Sequence, residues 1–279
     1  MDISLSELSE VKGIGKKTIQ RIREHKLADD GYISEYDEKL HLDRNSVNRG
    51  DCLELMNGIP DESIDMILAD LPYNTTQNKW DNIIDLNKLW CQYNRIIKSK
   101  GVIVLTAASH FTTKLINSNK EMFKYKLVWN KNSTSGFLNA NRMPLRQHED
   151  IVVFYKNLGT YNPQKHKGKQ RYKGGKKYAN NGCYGEYKPT ERIKYDTYYP
   201  SSIISISNSN QKEKRHPTEK PAELFEYLIK TYTNKGDLVL DNVAGSGTTG
   251  VACQNTDRHY ILIEKEQKYI DVIKERLGD

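Results

Sequence analysis

Ser63-Ile64-Asp65-Met66-Ile67-Leu68-Ala69-Asp70-Leu71-Pro72-Tyr73 is the stretch on which the reading of the chain turns. Ser63 to Ala69 has the length and apolar content of a short buried strand. It ends on an acid, and Pro72 stops the sheet because it has no N–H to give a ladder. Open α/β sheets bind their ligands at the carboxyl ends of the strands. The stretch therefore predicts a carboxylate, a rigid turn and the Tyr73 ring arriving together at a ligand edge. A carboxylate and free carbonyls accept hydrogen bonds from an amine, and a tyrosine stacks on the flat ring that carries it. The combination suits a planar heterocycle with an exocyclic amine, such as adenine or cytosine. Taken alone, the tetrapeptide is equally a strand-end turn, so its neighbours decide.

Working outward, strands and helices alternate. Asn45 to Met56 reads as strand, glycine turn and helix, with Asp51 on the turn as N-cap or ligand contact. Asn74 to Asp81 is a polar loop, and Ile83 to Ile97 has helical spacing. Gly101–Thr106 is a second buried strand, Phe111–Asn117 a helix, and Lys126–Trp129 and Asp150–Tyr155 two further strands. Beyond His216-Pro217-Thr218-Glu219-Lys220-Pro221 come a helix over Ala222–Tyr232 and a strand over Asp237–Asp241. A glycine-rich turn over Asn242–Gly250 enters a helix, His259–Glu264 is a strand, and Tyr269–Leu277 closes as a helix. This order predicts a doubly wound α/β sheet.

The 279 residues carry a net charge of +7, unevenly placed. Lys156 to Arg215 holds fourteen Lys/Arg against four Asp/Glu, a surplus of ten that leaves the remainder at −3. The same segment holds eight of the eighteen tyrosines. Cations interleaved with rings suit a nucleic-acid surface, where phosphates and bases or sugars are met together. Cys52, Cys91, Cys183 and Cys253 form no CxxC pair and no metal spacing, which predicts reduced thiols in a cytoplasmic setting and no metal site. No apolar run has membrane-span length, and Met1-Asp2-Ile3-Ser4 does not begin a signal peptide.

Residues 1–44 read as a separate helical extension. Gly13-Ile14-Gly15 between two short helices resembles one helix-hairpin-helix DNA-binding unit, with Lys16 and Lys17 beside a phosphate-holding turn. A small helical cap fits the same residues.

Strand, Gly245-x-Gly247 turn, helix, strand and Glu264 form a nucleoside-binding layout, with the acid 17 residues beyond Gly247. The glycines let backbone approach a ligand, and Glu264 suits ribose hydroxyls. No Lys-Ser/Thr follows the glycines, so this is not a Walker phosphate loop.

Asp70-Leu71-Pro72-Tyr73 followed far downstream by Asp241-x-x-x-Gly245-Ser246-Gly247-Thr248-Thr249 resembles the DNA amino-methyltransferases, in the order of their β-class permutation. Asp51, His148-Glu149-Asp150-Ile151 and His216–Pro221 add to the likeness, which spans roughly 46–156 and 216–279. The resemblance implies a Rossmann-like class I methyltransferase fold, circularly permuted, with a doubly wound mixed sheet. It divides the chain into the extension (1–44), a first catalytic part (45–156), a target-recognition region (157–215) and a cofactor part (216–279). It implies S-adenosylmethionine as cofactor and double-stranded DNA as substrate, methylated at adenine N6 by base flipping and direct transfer. The acid at 70 favours adenine, since the cytosine-N4 branch more often has serine there. Cytosine-N4 methylation, an RNA or protein amide methyltransferase, and a DNA-binding protein with a decayed pocket are the alternatives.

By resemblance, Asp70 and the Leu71 carbonyl accept the target amine, Pro72 shapes the turn, and Tyr73 stacks on the extruded base. Asp241, Gly245 and Gly247 line the methionine end of the cofactor, with Thr218 and Lys220 near its carboxylate and Val243 and Thr248 as further cofactor contacts. Glu264 holds the ribose and Asp51 the adenine amine. Lys79, Trp80, Lys165, Lys167, Lys169, Arg171 and Lys173 are the expected DNA contacts, besides Lys16 and Lys17. A cognate restriction nuclease as a separate chain and a homodimer are partners the resemblance leaves open. Two positions depart from the family pattern: Leu71 stands for a proline, and Asn242-Val243 for Pro-Phe.

Overall fold

The computed structural model describes residues 42–73, 84–173, 191–208 and 219–278. Contacts divide the chain into Met1–His41 and Leu42–Asp279. The first unit, with the expected hairpin and Lys16 and Lys17, lies outside the described residues. Leu42 already packs in the core of the second unit.

An eight-stranded mixed sheet forms the frame, in the order β1-β10-β9-β2-β3-β5-β4-β8. Its strands are β1 (Ser46–Arg49), β2 (Ile64–Ala69), β3 (Ile97–Ala107), β4 (Phe123–Ser135), β5 (Arg146–Tyr155), β8 (Ile203–Ser205), β9 (Leu238–Asp241) and β10 (His259–Glu264). Pairing is parallel from β1 through β3 and antiparallel across β3–β5 and β5–β4. The helices are α1 (Cys52–Leu55), α2 (Leu86–Ile96), α3 (His110–Ser118), α4 (Ala222–Tyr232), α5 (Thr248–Asn255) and α6 (Gln267–Leu277).

Period-two alternation sends successive strand residues to two separate cores. Ile67, Ala69, Ile103, Leu105, Leu240 and Ile263 face Leu89, Trp90 and Tyr93 of α2 and Phe111 of α3. Met66, Leu68, Val104, Val239 and Leu262 face Leu224 and Leu228 of α4, Cys253 of α5 and Ile273 of α6. The doubly wound sheet expected from the apolar runs is thus present, with helices on both faces. Asp85 starts α2 by accepting the Asn87 and Lys88 N–H groups at 2.9 and 3.3 Å. β4 and β5 run longer than their apolar runs, because ladder bonds carry them into polar sequence.

The segment assigned to target recognition is not uniform. β6 (His166–Lys173) and β7 (Ile193–Tyr198) form their own antiparallel ribbon. β8, inside the same segment, rejoins the main sheet parallel to β4. Trp129 explains the return: it is fully buried, and its indole N–H donates to the Ile206 carbonyl at 2.9 Å. Three residues of apolar pattern, Ile203, Ile204 and Ile206, were too few to show as a strand among the surrounding serines and asparagines.

Candidate active site

Parallel strands β2, β9 and β10 end on one edge, and a cleft of about 890 Å³ opens there. Asp70 to Tyr73 line it together with Asp241 to Ser246 and Glu264, so the early acid and the late glycine turn do share one site.

At β2, Asp70 sits in a dense set of donors. Tyr73 donates its hydroxyl to Asp70 Oδ1 at 2.6 Å and lies 2.8 Å from Thr106 Oγ1. Thr106, at the end of β3, donates to the same oxygen. The Lys220 ammonium lies 2.6 Å from Asp70 Oδ2 and 3.3 Å from Glu149 Oε2. Lys131, on β4, pairs with the other oxygen of Glu149. Burial alone would raise the Asp70 carboxyl, but the Lys220 charge and the three hydrogen bonds outweigh it and hold it below the usual aspartate range. Burial, then the Asp70 and Glu149 charges, push the Tyr73 phenol well up. Burial works against the Lys220 ammonium, but the same two acids prevail and raise its pKa. Asp70 is therefore ionised, and three donors fill three of its roughly four lone-pair positions. One remains for an incoming N–H. Tyr73 stacks on Phe111 with centroids 4.9 Å apart and planes 28° apart, and the Lys220 ammonium lies 5.9 Å from the centre of the same ring.

The glycine turn is built differently. Asp241 ends β9 fully buried, accepting the Val243 N–H at 3.1 Å and the Thr249 hydroxyl. Burial drives its pKa to about 7 against those two hydrogen bonds. Glu264 ends β10 and accepts three backbone N–H groups, from Gly245 at 2.9 Å and from Lys265 and Glu266 at 2.8 Å each. Burial raises its pKa too. Asp51 caps α1 through the Leu53 N–H at 2.9 Å, while its other oxygen is 3.7 Å from the Lys265 ammonium. Arg276 of α6 reaches back to the Ser246 carbonyl at 2.7 Å and to Glu219 at 2.9 Å, tying the turn to the segment that carries Lys220.

The expected residues fall into three groups. Asp70, Leu71, Pro72, Tyr73, Asp51, Lys220, Asp241, Val243, Gly245, Thr248 and Glu264 line the cleft. Within the cleft the Lys220 ammonium is held by Asp70 and Glu149. Gly247 is not among the lining residues; a Cβ there would meet Ile273 Cγ1 at 2.9 Å, and its φ is +79°, so glycine serves a left-handed turn and close packing on α6. Lys165, Lys167, Lys169 and Arg171 are exposed on or beside β6, which also contains Lys173. The Lys165 ammonium lies 4.5 Å from the centre of the Tyr199 ring, and Arg171 lies 5.8 Å from that of Tyr198. Thr218, Lys79 and Trp80 lie outside the described residues.

Thr106, Lys131, Phe111 and Asn242 were not singled out from the sequence. Glu149 was noticed only as part of a motif. Each is a common residue beside an apolar run; strand pairing brings Thr106 to Asp70 and Lys131 to Glu149, and Phe111 reaches Tyr73 from α3. Asn242 had one available signal, its place where the family has proline. Its carbonyl takes the Tyr93 hydroxyl at 2.6 Å, while its buried Nδ2 has no nitrogen or oxygen partner.

The family model for DNA methylase matches residues 64–275. This chain belongs to the DNA methylase family of N6/N4 amino-methyltransferases. Its relatives include the type II methyltransferase M.HinfI of Haemophilus influenzae, 29% identical over 266 residues, covering 84% of this chain and 68% of that protein. M.BglII of Bacillus subtilis is 27% identical over 259 residues, with the same two coverages. Among solved structures, the cytosine-N4-specific PvuII DNA methyltransferase matches with a TM-score of 0.63 at 19% identity, over 86% of this chain and 88% of that one. The complex of M1.HpyAVI with S-adenosylmethionine matches at 0.58 and 23% identity, over 84% and 99%. At those identities the structures speak for the fold, a Rossmann-like class I methyltransferase sheet. Among the described residues no helix is long and apolar enough to cross a membrane.

Proposed function

We propose that this DNA methylase uses S-adenosylmethionine to methylate the N6 amine of adenine at a specific site in double-stranded DNA. The observation that carries the adenine reading is Asp70 itself, an ionised carboxylate with one open lone-pair position at the strand end. The type II relatives favour a role as the modification half of a restriction–modification pair.

The cofactor reading draws on the chemistry of the cleft. Glu264 has three backbone donors and one lone-pair position left for a ribose hydroxyl. Asp241 is a buried acid with no cation paired to it among the described residues. These residues fit a positively charged nucleoside. Bound there, S-adenosylmethionine supplies an electrophilic methyl group on a sulfonium.

The protein's part is to make a poor nucleophile attack. The amine lone pair of adenine is delocalised into its ring. Asp70 and the Leu71 carbonyl accept its two N–H bonds, favouring the pyramidal nitrogen and stabilising the positive charge that grows as the new C–N bond forms. Asp70 is held below its usual pKa, so it orients and stabilises rather than acting as a strong base. As that bond forms the methyl–sulfur bond would break, its electron pair staying on sulfur as a neutral thioether, and the methylated amine would then give one proton to water. Stacking on Tyr73 supports the flipped base, worth about 1–3 kcal/mol, against a flipping cost of a few kcal/mol. The β6–β7 ribbon, with exposed Lys165, Lys167, Lys169 and Arg171, is the proposed DNA contact surface.

The test is nucleoside mass spectrometry after incubating unmethylated duplex DNA with the protein and S-adenosylmethionine. N6-methyladenine is expected. N4-methylcytosine alone would overturn the choice of base, and no methylated base would overturn the activity.

A further inference from the structure

The turn joining β4 to β5 carries the most exposed apolar group among the described residues. Phe137 is 78% exposed, Leu138 84% and Met143 55%. Turns between strands are usually polar, and large rings left in water mark a contact surface. This turn has defined structure. Gly136 takes a left-handed φ of 90°, a 3₁₀ turn spans Phe137–Asn139, and Met143 donates its N–H to the Asn139 carbonyl at 3.0 Å. The apolar side chains are thus displayed by backbone hydrogen bonds.

Its position is informative. The last paired residues below it, Ser135 and Arg146, line the active-site cleft, as do Lys131 and His148 further down the arms. The turn stands directly beyond the rim of the site that must receive a base. From Lys131 to His148 the sequence has Lys131, Arg142 and Arg146 and no acid. A cationic, apolar projection beside a base-accepting cleft matches a polyanion with an apolar interior, which is duplex DNA. A second copy of this chain fits less well: a stable dimer buries about 800 Å² per partner, more than a few side chains on one turn supply, and like charges would face each other.

We propose that this turn is a wedge. Phe137 and Leu138 enter the base stack next to the target nucleotide, and Arg142 and Arg146 meet the flanking phosphates. The proposal rests on the reading of this chain as a base-flipping DNA methyltransferase. Flipping empties a place in the stack, and an apolar side chain that fills it offsets unstacking and slows the base's return.

The test compares wild type with the double variant Phe137→Ser/Leu138→Ser. A duplex is made around a site that wild type methylates, found by mapping modified bases in unmethylated plasmid DNA. A second duplex places an abasic position opposite the target base, so that unpairing is already done. The variant should methylate the paired duplex at least about tenfold more slowly and the unpaired one within about twofold of wild type. Its heat of S-adenosylmethionine binding and its size by light scattering should match wild type. Equal rates on the paired duplex would overturn the wedge. Equal losses on both duplexes would assign the turn to the site or to folding, and a smaller particle would assign it to self-association; either overturns the wedge. A wild-type protein that methylates no duplex would overturn the functional reading, and the wedge with it.

Discussion

Two pairs of acids line one sheet edge, and the protein neutralises them in opposite ways. Asp70 and Glu149 meet Lys220 and Lys131, in a chain of alternating charge that holds Asp70 ionised. Among the described residues Asp241 and Glu264 meet only hydroxyl and amide hydrogens, and burial raises both. Desolvation acts on Asp70, Asp241 and Glu264 alike, so the lysine beside Asp70 decides the direction. The difference fits what each half is proposed to receive. A neutral base amine needs an ionised acceptor already in place. A sulfonium cofactor brings its own positive charge, so a lysine beside Asp241 would repel it.

Removing the lysine from the paired half breaks the comparison most forcefully. Lys220→Met leaves Asp70 without its cation and Glu149 with Lys131 alone, and unfolding by urea should show a loss of about 3–5 kcal/mol. Asp70 would then answer to burial, so the acid limb of the pH–rate profile should move to higher pH. An unchanged limb would mean that Lys220 does not hold Asp70 ionised.

Asp70→Asn sharpens the division between chemistry and binding. The methyl-transfer rate should fall about 10²–10³-fold, as for loss of one preorganised charge-stabilising group. Calorimetric affinity for S-adenosylmethionine should stay near wild type. A matching loss of affinity would join the two halves into one electrostatic unit.

The smallest effect is a pH slope in the unpaired half. The value for Asp241, about 7, lies above its ordinary 3.8, so the fold prefers the neutral form. That contribution to stability is complete below pH 3.8 and is lost as pH rises through about 7. The melting temperature of the cofactor-free protein should therefore fall by a few degrees from pH 5 to pH 8, on the order expected for a kcal/mol-scale change. Asp241→Asn should flatten that slope, as should saturating S-adenosylmethionine. A slope that survives the substitution would place its origin elsewhere.

The apolar runs of β2, β3, β5, β9 and β10 were legible because each strand is buried on both faces, and continuous hydrophobicity is the signature of that burial. β8 was not legible: three residues, stabilised by one neighbouring strand and the Trp129 indole, leave no period to read. The acids Asp70, Asp241 and Glu264 could be named because each ends an apolar run, and chain position alone marks a strand's end. Lys220 could be named but not placed, since its partners are 150 and 71 residues away along the chain.

What the amino-acid order determined by itself was local: where strands stop, which turns need glycine, and which residue types stand at those stops. Strand pairing decided the rest. Laying β2 between β3 and β9, with β5 and β4 beyond β3, put Thr106, Glu149, Lys131 and Lys220 around one carboxylate and left another with no cation. Charge and desolvation act through space at a few ångströms, and such distances between remote residues exist only once the sheet has formed.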